Sequence, residues 1–488
     1  MSRFAIRDDD PLFARAFRAA GWSFVNTAVS RLGTLAIGIA LARILGPQEF
    51  GTFAVAMVAL LAILSFNELG VSLAIVRWPG DPKEVAPTVA TISVVTSVAM
   101  YVVCYLGAPA FAAAMGAPDA AGVVRVLTFN VVINGVVAAP VALVQRAFRQ
   151  DRKMIADQVN NWLGTAVSIA LALAGMGAMS LAVGRLVGAL TSGVLYVRFS
   201  PEPLRLGFDA GVARRLLRFG LPLAGSSMVM FAAGSVDQFV VGKVLGATAL
   251  GFYVLAFNLS SWPVQMFSQP VRGVAPAAFA RLQGDLPAMR RTFLSTAGLL
   301  AGLTLPVCLL LSGSAQPLIH FVYGASWSTA AHGLVWLALL GAFRILFELM
   351  YDYFVVLART RAVFTIQLLW LIALVPALVV GARLGGIAGV GVAHILVAVV
   401  LVLPLYLWEL HRHGIRLAAV TRGLGLPVLV AAGVGAVATL AHRVIPFDLL
   451  ALALAGVVAV AAVAALLYRM RGVFADLKAM EQPDAGTS

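Results

Sequence analysis

Long apolar runs repeat along this chain from end to end, and the connections between them alternate between basic and nearly charge-free. The basic set begins with Arg3, Arg7, Arg15 and Arg18, then Arg77 and Lys83, then Arg146, Arg149, Arg152 and Lys153. It continues through Arg198–Arg218, Arg272–Arg291, Arg359 and Arg361, and Arg412–Arg422, and closes with Arg469, Arg471 and Lys478. The intervening connections hold only Arg43, Lys243, Arg383 and Arg443. Basic loops are retained on the cytoplasmic side of a membrane, so the alternation describes a multi-pass protein with both termini inside. Arg31, Arg125, Arg185 and Arg344 belong to neither loop set and fall within apolar runs, where a charge is costly.

Hydrophobic residues make up 61% of the chain and charged residues 11%. A soluble domain averages roughly a quarter charged, so most of this chain faces lipid or other helices. At about twenty residues per crossing, the runs number about fourteen, from 19–44 to 447–468, and an even count agrees with the charge pattern. The net charge of +14 is a property of short cytoplasmic loops, which removes any need for a nucleic-acid partner. Arg and Asp precede a first run too long for a signal peptide. Cys104 and Cys308 lie inside apolar runs without C-x-x-C spacing and read as small core residues. His394 is the only histidine well inside a run and reads as packed or hydrogen-bonded.

Residues 44–56, ILGPQEFGTFAVA, align without a gap on 244–256, VLGATALGFYVLA, matching Leu45, Gly46, Gly51 and Ala56 to Leu245, Gly246, Gly251 and Ala256. Both copies join the first helix of a half to its second on the outer face, where glycine allows tight turns and close backbone approach. Six helices per half give the two halves one orientation, a parallel repeat of the kind found in transporters with substrate handled between the halves. The divisions are 1–200 for the first bundle, 201–216 for a basic cytoplasmic linker, 217–410 for the second bundle and 411–488 for two further helices and a tail.

RLGTLAIGIALARILGPQEFGTFAVA with NELGVSLAIVR, and VDQFVVGKVLGATALGFYVLAFNL in the second half, resemble bacterial polysaccharide-transporter proteins. These are the oligosaccharide flippases of the multidrug/oligosaccharidyl-lipid/polysaccharide exporter superfamily. The resemblance implies an all-α fold in the bacterial inner membrane, with two six-helix bundles in a V plus two C-terminal helices. It also implies transfer of an undecaprenyl-pyrophosphate-linked oligosaccharide to the periplasmic leaflet. No cofactor is expected; H+ and Na+ are both open as coupling ions, and glycan polymerase and assembly proteins are candidate partners.

On the first helix Asn26, Ser30 and Arg31 share one face with Ser23, Thr27 and Thr34. That face either lines a cavity, where Arg31 would grip phosphate oxygens in a planar fork, or forms a polar seam with Arg31 paired to Glu68. Asn258, Gln265, Gln269 and Arg272 form a face of the eighth helix, suited either to glycan hydroxyls or to helix–helix hydrogen bonds. Ser226 and Ser227 stand at the offset positions of Asn26 and Thr27, but Phe231 replaces Arg31. On the tenth helix Arg344, Glu348 and Asp352 are spaced four apart, either as a self-neutralising ladder or as a wall whose acids take up an ion. Asp237 is expected to pair with Lys243, with ion coupling as its other reading. Arg125 and Arg185 are expected to snorkel, and Asp157 to join the basic inner loop.

Three rivals remain. A multidrug exporter of the superfamily would favour an acidic cavity. A lipid II flippase shares the fourteen-helix plan and a basic cavity. A membrane glycan polymerase or glycosyltransferase would need large charged outer loops, which are absent here, so a non-enzymatic role is expected.

Overall fold

The computed structural model describes residues 12–67, 75, 78, 80–147 and 149–469, with side chains in the first stretch from Ile37 onward. Among the described residues every regular element is helical, as backbone in lipid requires when it must satisfy its own N–H and C=O groups. The first half contains α1 (Leu12–Asn67), α2 (Pro82–Ala114), α3 (Ala120–Thr128), α4 (Asn130–Arg146), α5 (Gln150–Leu173) and α6 (Ala178–Phe199). The second contains α7 (Ala210–Leu245), α8 (Ala247–Pro263), α9 (Gln269–Arg281), α10 (Leu286–Gly313), α11 (Ala315–Tyr323), α12 (Ser328–Val356), α13 (Thr360–Val397) and α14 (Leu403–Arg412). A π-helical turn, Val264–Ser268, joins α8 to α9, and another, Ala398–Val402, joins α13 to α14. The last pair is α15 (Leu417–Val444) and α16 (Asp448–Arg469).

Ten described helical stretches are long and apolar enough to cross a membrane. Two long helices are broken and turn back on themselves, α1 at Gly46 and α13 at Gly385 and Gly386. "Inner" and "outer" below denote the ends that the basic connections assign.

The internal repeat has a conformational counterpart. Gly46 (φ 73, ψ 175) and Gly246 (φ 86, ψ 176) share a backbone region open essentially to glycine alone. A second correspondence is invisible in the sequence: Gly177 (φ 55, ψ −139) opens α6 as Gly386 (φ 55, ψ −138) reopens α13. Glu49 accepts a hydrogen bond from the backbone N–H of Ala178 at 2.7 Å, so the first outer turn caps α6.

The two repeat copies meet each other at the outer end. A Cβ on Gly51 would stand 2.0 Å from the Ala247 carbonyl oxygen, and one on Gly251 would stand 2.6 Å from that of Pro47 and 2.9 Å from the Gly51 Cα. Fully buried Trp327 completes this seal, donating from Nε1 to the Ala42 carbonyl at 3.1 Å. Its ring lies 5.5 Å from Phe50 and 5.8 Å from Phe252, one aromatic from each half. Arg43 reaches across to the Val322 carbonyl at 2.6 Å. The main buried apolar cluster accordingly runs through the second half and takes in Ala42, Ala54, Val55 and Met115 of the first.

The segment between the halves is strapped to the inner end of α2. Thr91 donates to the Gly207 carbonyl at 2.8 Å, the Asp209 N–H donates to Thr88 at 3.2 Å, and Lys83 pairs with Glu202 at 3.0 Å. Helix α7 begins at Ala210, capped by Asp209, whose carboxylate accepts from the Val212 N–H at 2.8 Å. Helix α15 packs on α10 so closely that a Cβ on Gly313 would meet the Gly435 carbonyl at 2.5 Å. Helix α16 is tied to α11 by a hydrogen bond between Asp448 and His320.

Candidate functional site

The polar face expected on the first helix falls on α1 backbone whose side chains lie outside the described ones, so Asn26, Ser30 and Arg31 have a helix position and nothing more. Glu68 lies outside the described residues altogether.

The acids of α12 do not neutralise Arg344. Arg272, arriving from α9, takes both of them: its Nε donates to Asp352 at 2.7 Å and its Nη2 donates to the other carboxylate oxygen at 3.1 Å. Its Nη1 stands 3.3 Å from Glu348, which also accepts from the Ser268 hydroxyl at 3.0 Å. This forked geometry is the one guanidinium makes best with a carboxylate. The π-helical turn contains Ser268 and leads directly into α9, where both groups face α12. The spacing of four therefore identified the face of α12 correctly and its partner wrongly.

Arg344 is thereby left half-buried without a carboxylate in ion-pair contact among the described residues. Its guanidinium lies 5.5 Å from the centre of the Phe257 ring. Asn258 and Gln269 are exposed and Gln265 is partly buried.

Asp237 does not pair with Lys243. It is 4% exposed and belongs to a buried polar cluster drawn from three helices. Tyr253 on α8, wholly buried, donates its hydroxyl to Asp237 Oδ2 at 2.6 Å, while the Gln238 N–H donates to Oδ1 at 2.8 Å. His394, on the outer-returning part of α13 and 6% exposed, places Nε2 3.4 Å from the Tyr253 hydroxyl and 4.0 Å from Asp237 Oδ2. A carboxylate in such surroundings is costly as a bare anion. Asp237, Tyr253 and His394 thus form one hydrogen-bonded polar cluster. These residues are separated by 16 and 141 positions, and no local spacing relates them.

Of the other intramembrane charges, Arg125 and Asp157 have local partners. Arg125 donates to the Tyr105 carbonyl at 3.1 Å and lies 4.5 Å from that ring's centre. Arg185 is exposed on α6. Asp157 does not join the basic inner loop; it accepts from the Tyr196 hydroxyl at 2.6 Å. Among the described residues no cluster of His, Cys, Asp and Glu could hold a metal ion.

A family model described as polysaccharide biosynthesis protein matches residues 40–332. The succinoglycan biosynthesis transport protein of Rhizobium meliloti (strain 1021) is 27% identical over 64% of this chain and 63% of its own length, so that match spans less than two thirds of the relative. A lipopolysaccharide biosynthesis protein of Escherichia coli (strain K12) is 22% identical over 79% of each chain. A teichuronic acid biosynthesis protein of Bacillus subtilis (strain 168) is 23% identical over 57% of this chain and 58% of its own. Among solved structures, a lipid II flippase in an inward closed conformation superposes with a TM-score of 0.73 at 11% identity, over 92% of this chain and 100% of that one. An inward-facing multidrug resistance transporter does so with a TM-score of 0.62 at 17% identity, over 80% and 94%.

Proposed function

The chain belongs to the polysaccharide biosynthesis protein family, and from that premise we propose that it flips an undecaprenyl-pyrophosphate-linked oligosaccharide from the cytoplasmic to the periplasmic leaflet of a bacterial inner membrane. Both termini are cytoplasmic in this reading. The observation that carries it is the outer seal, in which the two copies of the repeat turn close against each other at Gly51 and Gly251. A seal built from the repeat itself suits two halves that rock about a common axis, opening inward when the seal is closed and outward when it parts.

Coupling is assigned to a proton at the Asp237–Tyr253–His394 cluster. The cluster offers one carboxylate already bound by two donors with an imidazole beside it, a set suited to exchanging a proton rather than to enclosing a cation. Protonation changes the charge of a buried site that spans α7, α8 and α13. The energy of packing these helices therefore depends on whether the cluster holds a proton, and the side from which a proton can reach it differs between the inward- and outward-open states in this reading.

The test is deletion in the native host with plasmid complementation. Loss of surface polysaccharide with accumulation of lipid-linked glycan inside is expected, with peptidoglycan synthesis intact. Impaired peptidoglycan would favour a lipid II substrate, and unchanged polysaccharide would refute the flippase reading. Asp237→Asn at normal abundance should stop export, and full export by that variant would remove the cluster from coupling.

A further inference from the structure

At the inner end of the second half, a cavity of about 460 Å³ lies between the start of α13 and the end of α14, lined by Arg359, Arg361 and Arg412. Glu409 is the single carboxylate in its wall. It is already engaged by Arg412 at 3.6 Å and by His413 at 3.7 Å. Three guanidiniums against one acid leave an excess of two positive charges.

Two of the arginines stand where a helix disfavours them. Arg359 is the residue preceding α13 and Arg361 is in its first turn. That turn contains no acid and has no side-chain cap. The N-terminal end of a helix carries positive partial charge, so cations there are repelled and an external anion is attracted. Retention of the loop in the cytoplasm needs only the charge; it does not need a cavity.

The walls of the cavity grade from charged to apolar in the same direction. Along α13, the lining residues Arg361, Thr365 and Leu369 follow one another at spacings of four, and Ile372, beyond the cavity, continues the same face into the span. Leu369 is 38% exposed and Ile372 61%. Along α14, Arg412, Trp408 and Leu405 descend in the same order, with Arg412 4.7 Å from the Trp408 ring centre and the indole 58% exposed. An exposed tryptophan at this level marks the boundary between headgroups and acyl chains.

We propose that this cavity binds the headgroup of an anionic phospholipid of the inner leaflet. The phosphate sits among Arg359, Arg361 and Arg412, the glycerol beside Thr365, and an acyl chain along Leu369 and Ile372. A soluble phosphate would satisfy the arginines but would leave the apolar half of both walls without a partner. The site lies apart from the Asp237 cluster and from the seal between the halves, and it depends on the flippase reading only for the assignment of the leaflet.

The test uses the purified full-length protein in neutral detergent, followed by thermal unfolding with dioctanoyl phosphatidylglycerol, dioctanoyl phosphatidylcholine or inorganic phosphate. The phosphatidylglycerol should raise the midpoint at lower concentration than either other probe. Each arginine near an anionic headgroup is worth about fivefold in binding, so Arg359→Gln with Arg361→Gln should weaken the phosphatidylglycerol response more than tenfold and leave the phosphatidylcholine response unchanged. If the double variant fails to fold, Arg361→Gln alone, at an exposed side chain, carries the same comparison at about fivefold. Equal responses to the two lipids, or a phosphatidylglycerol response that survives the substitutions, would overturn the assignment. A phosphate response as strong as that of the lipid would make the ligand a soluble anion and would overturn it equally. Export by the same variants in cells is a separate readout of the flippase reading.

Discussion

Adding one methyl group at the outer seal should shift the balance between inward- and outward-open states by an amount that the structure ranks in advance. A Cβ contact shorter than 3.0 Å is essentially never observed, so Gly51→Ala, at 2.0 Å from the Ala247 carbonyl, must separate the repeat turns by about 1 Å. At Gly251 the nearest atom, the Pro47 carbonyl oxygen, is 2.6 Å away, and the required movement is about 0.4 Å. Both obstacles are backbone, so neither can rotate aside. Overpacking of this kind costs about 1–3 kcal/mol, which is roughly a 5- to 150-fold change in the closed-to-open ratio. Gly51→Ala belongs toward the upper end and Gly251→Ala toward the lower. The assay is the distance distribution between spin labels on Gln48→Cys and Thr248→Cys, both exposed positions at the outer end. The background replaces Cys104 and Cys308 with alanine. A longer-distance population should grow in the order wild type, Gly251→Ala, Gly51→Ala. An unchanged distribution in Gly51→Ala, or the reverse order, would refute the claim that these glycines form the seal.

Four further outcomes can be checked with export and abundance measurements. Trp327→Phe keeps most of the ring packing and loses the hydrogen bond to Ala42, a net cost of about 0.5–1.5 kcal/mol; the same spin labels should report partial opening at near-normal abundance. Arg272→Gln removes the partner of two carboxylates and should reduce the amount of protein in the membrane, as an uncompensated buried charge is destabilising; normal abundance would refute the claim that this fork holds α9 to α12. Gly184→Leu should block packing of α5 against α6, where a Cβ would already stand 2.0 Å from the Ser168 hydroxyl, and should be detected as loss of folded protein. Arg31→Ala should abolish glycan export with normal membrane insertion, while Arg31→Lys should restore part of it because only the forked geometry is lost; normal export by the alanine variant would remove Arg31 from the substrate site.

The alternating basic connections and apolar runs made the helical membrane fold legible because both follow from solvent physics and act locally along the chain. The repeat was legible for a related reason: Gly46 and Gly246 occupy a backbone region that other residues cannot use, so the turn and the glycine are inseparable. The equivalence of Gly177 and Gly386 was not legible. The two lie 209 positions apart rather than 200, and a single glycine without matching neighbours makes no alignment. The charges on α12 failed differently. A spacing of four identifies residues that share a helix face but does not identify what stands opposite that face. Here the opposing group is Arg272, brought in by a π-helical turn between α8 and α9.

The two halves thus share geometry at the outer seal while differing in buried chemistry. Symmetry at the seal is useful mechanically, because equivalent turns that meet on an axis can part without either half changing its internal packing. Identical titratable clusters in both halves would instead give two binding events for each closure of one seal. At the positions offset by 200 from Asp237 and Tyr253, the first half has Ile37 and Phe53, which can neither bind nor release a proton. The position equivalent to His394 under the Gly177–Gly386 correspondence is Arg185, which stays charged throughout. On the coupling proposed above, a proton exchanged at Asp237 would act on the second half alone. In the first half, Arg31 stands where the second has Phe231, and Arg185 where it has His394. On that proposal, one protonation event would bias a single seal. Moving the acid to the first half as Ile37→Asp, with Asp237→Asn in the second, should therefore fail to restore export even where the protein reaches the membrane, because Phe53 and Arg185 offer neither the hydroxyl nor the imidazole. Restored export by that double variant would mean that the carboxylate alone couples and that Tyr253 and His394 only pack around it.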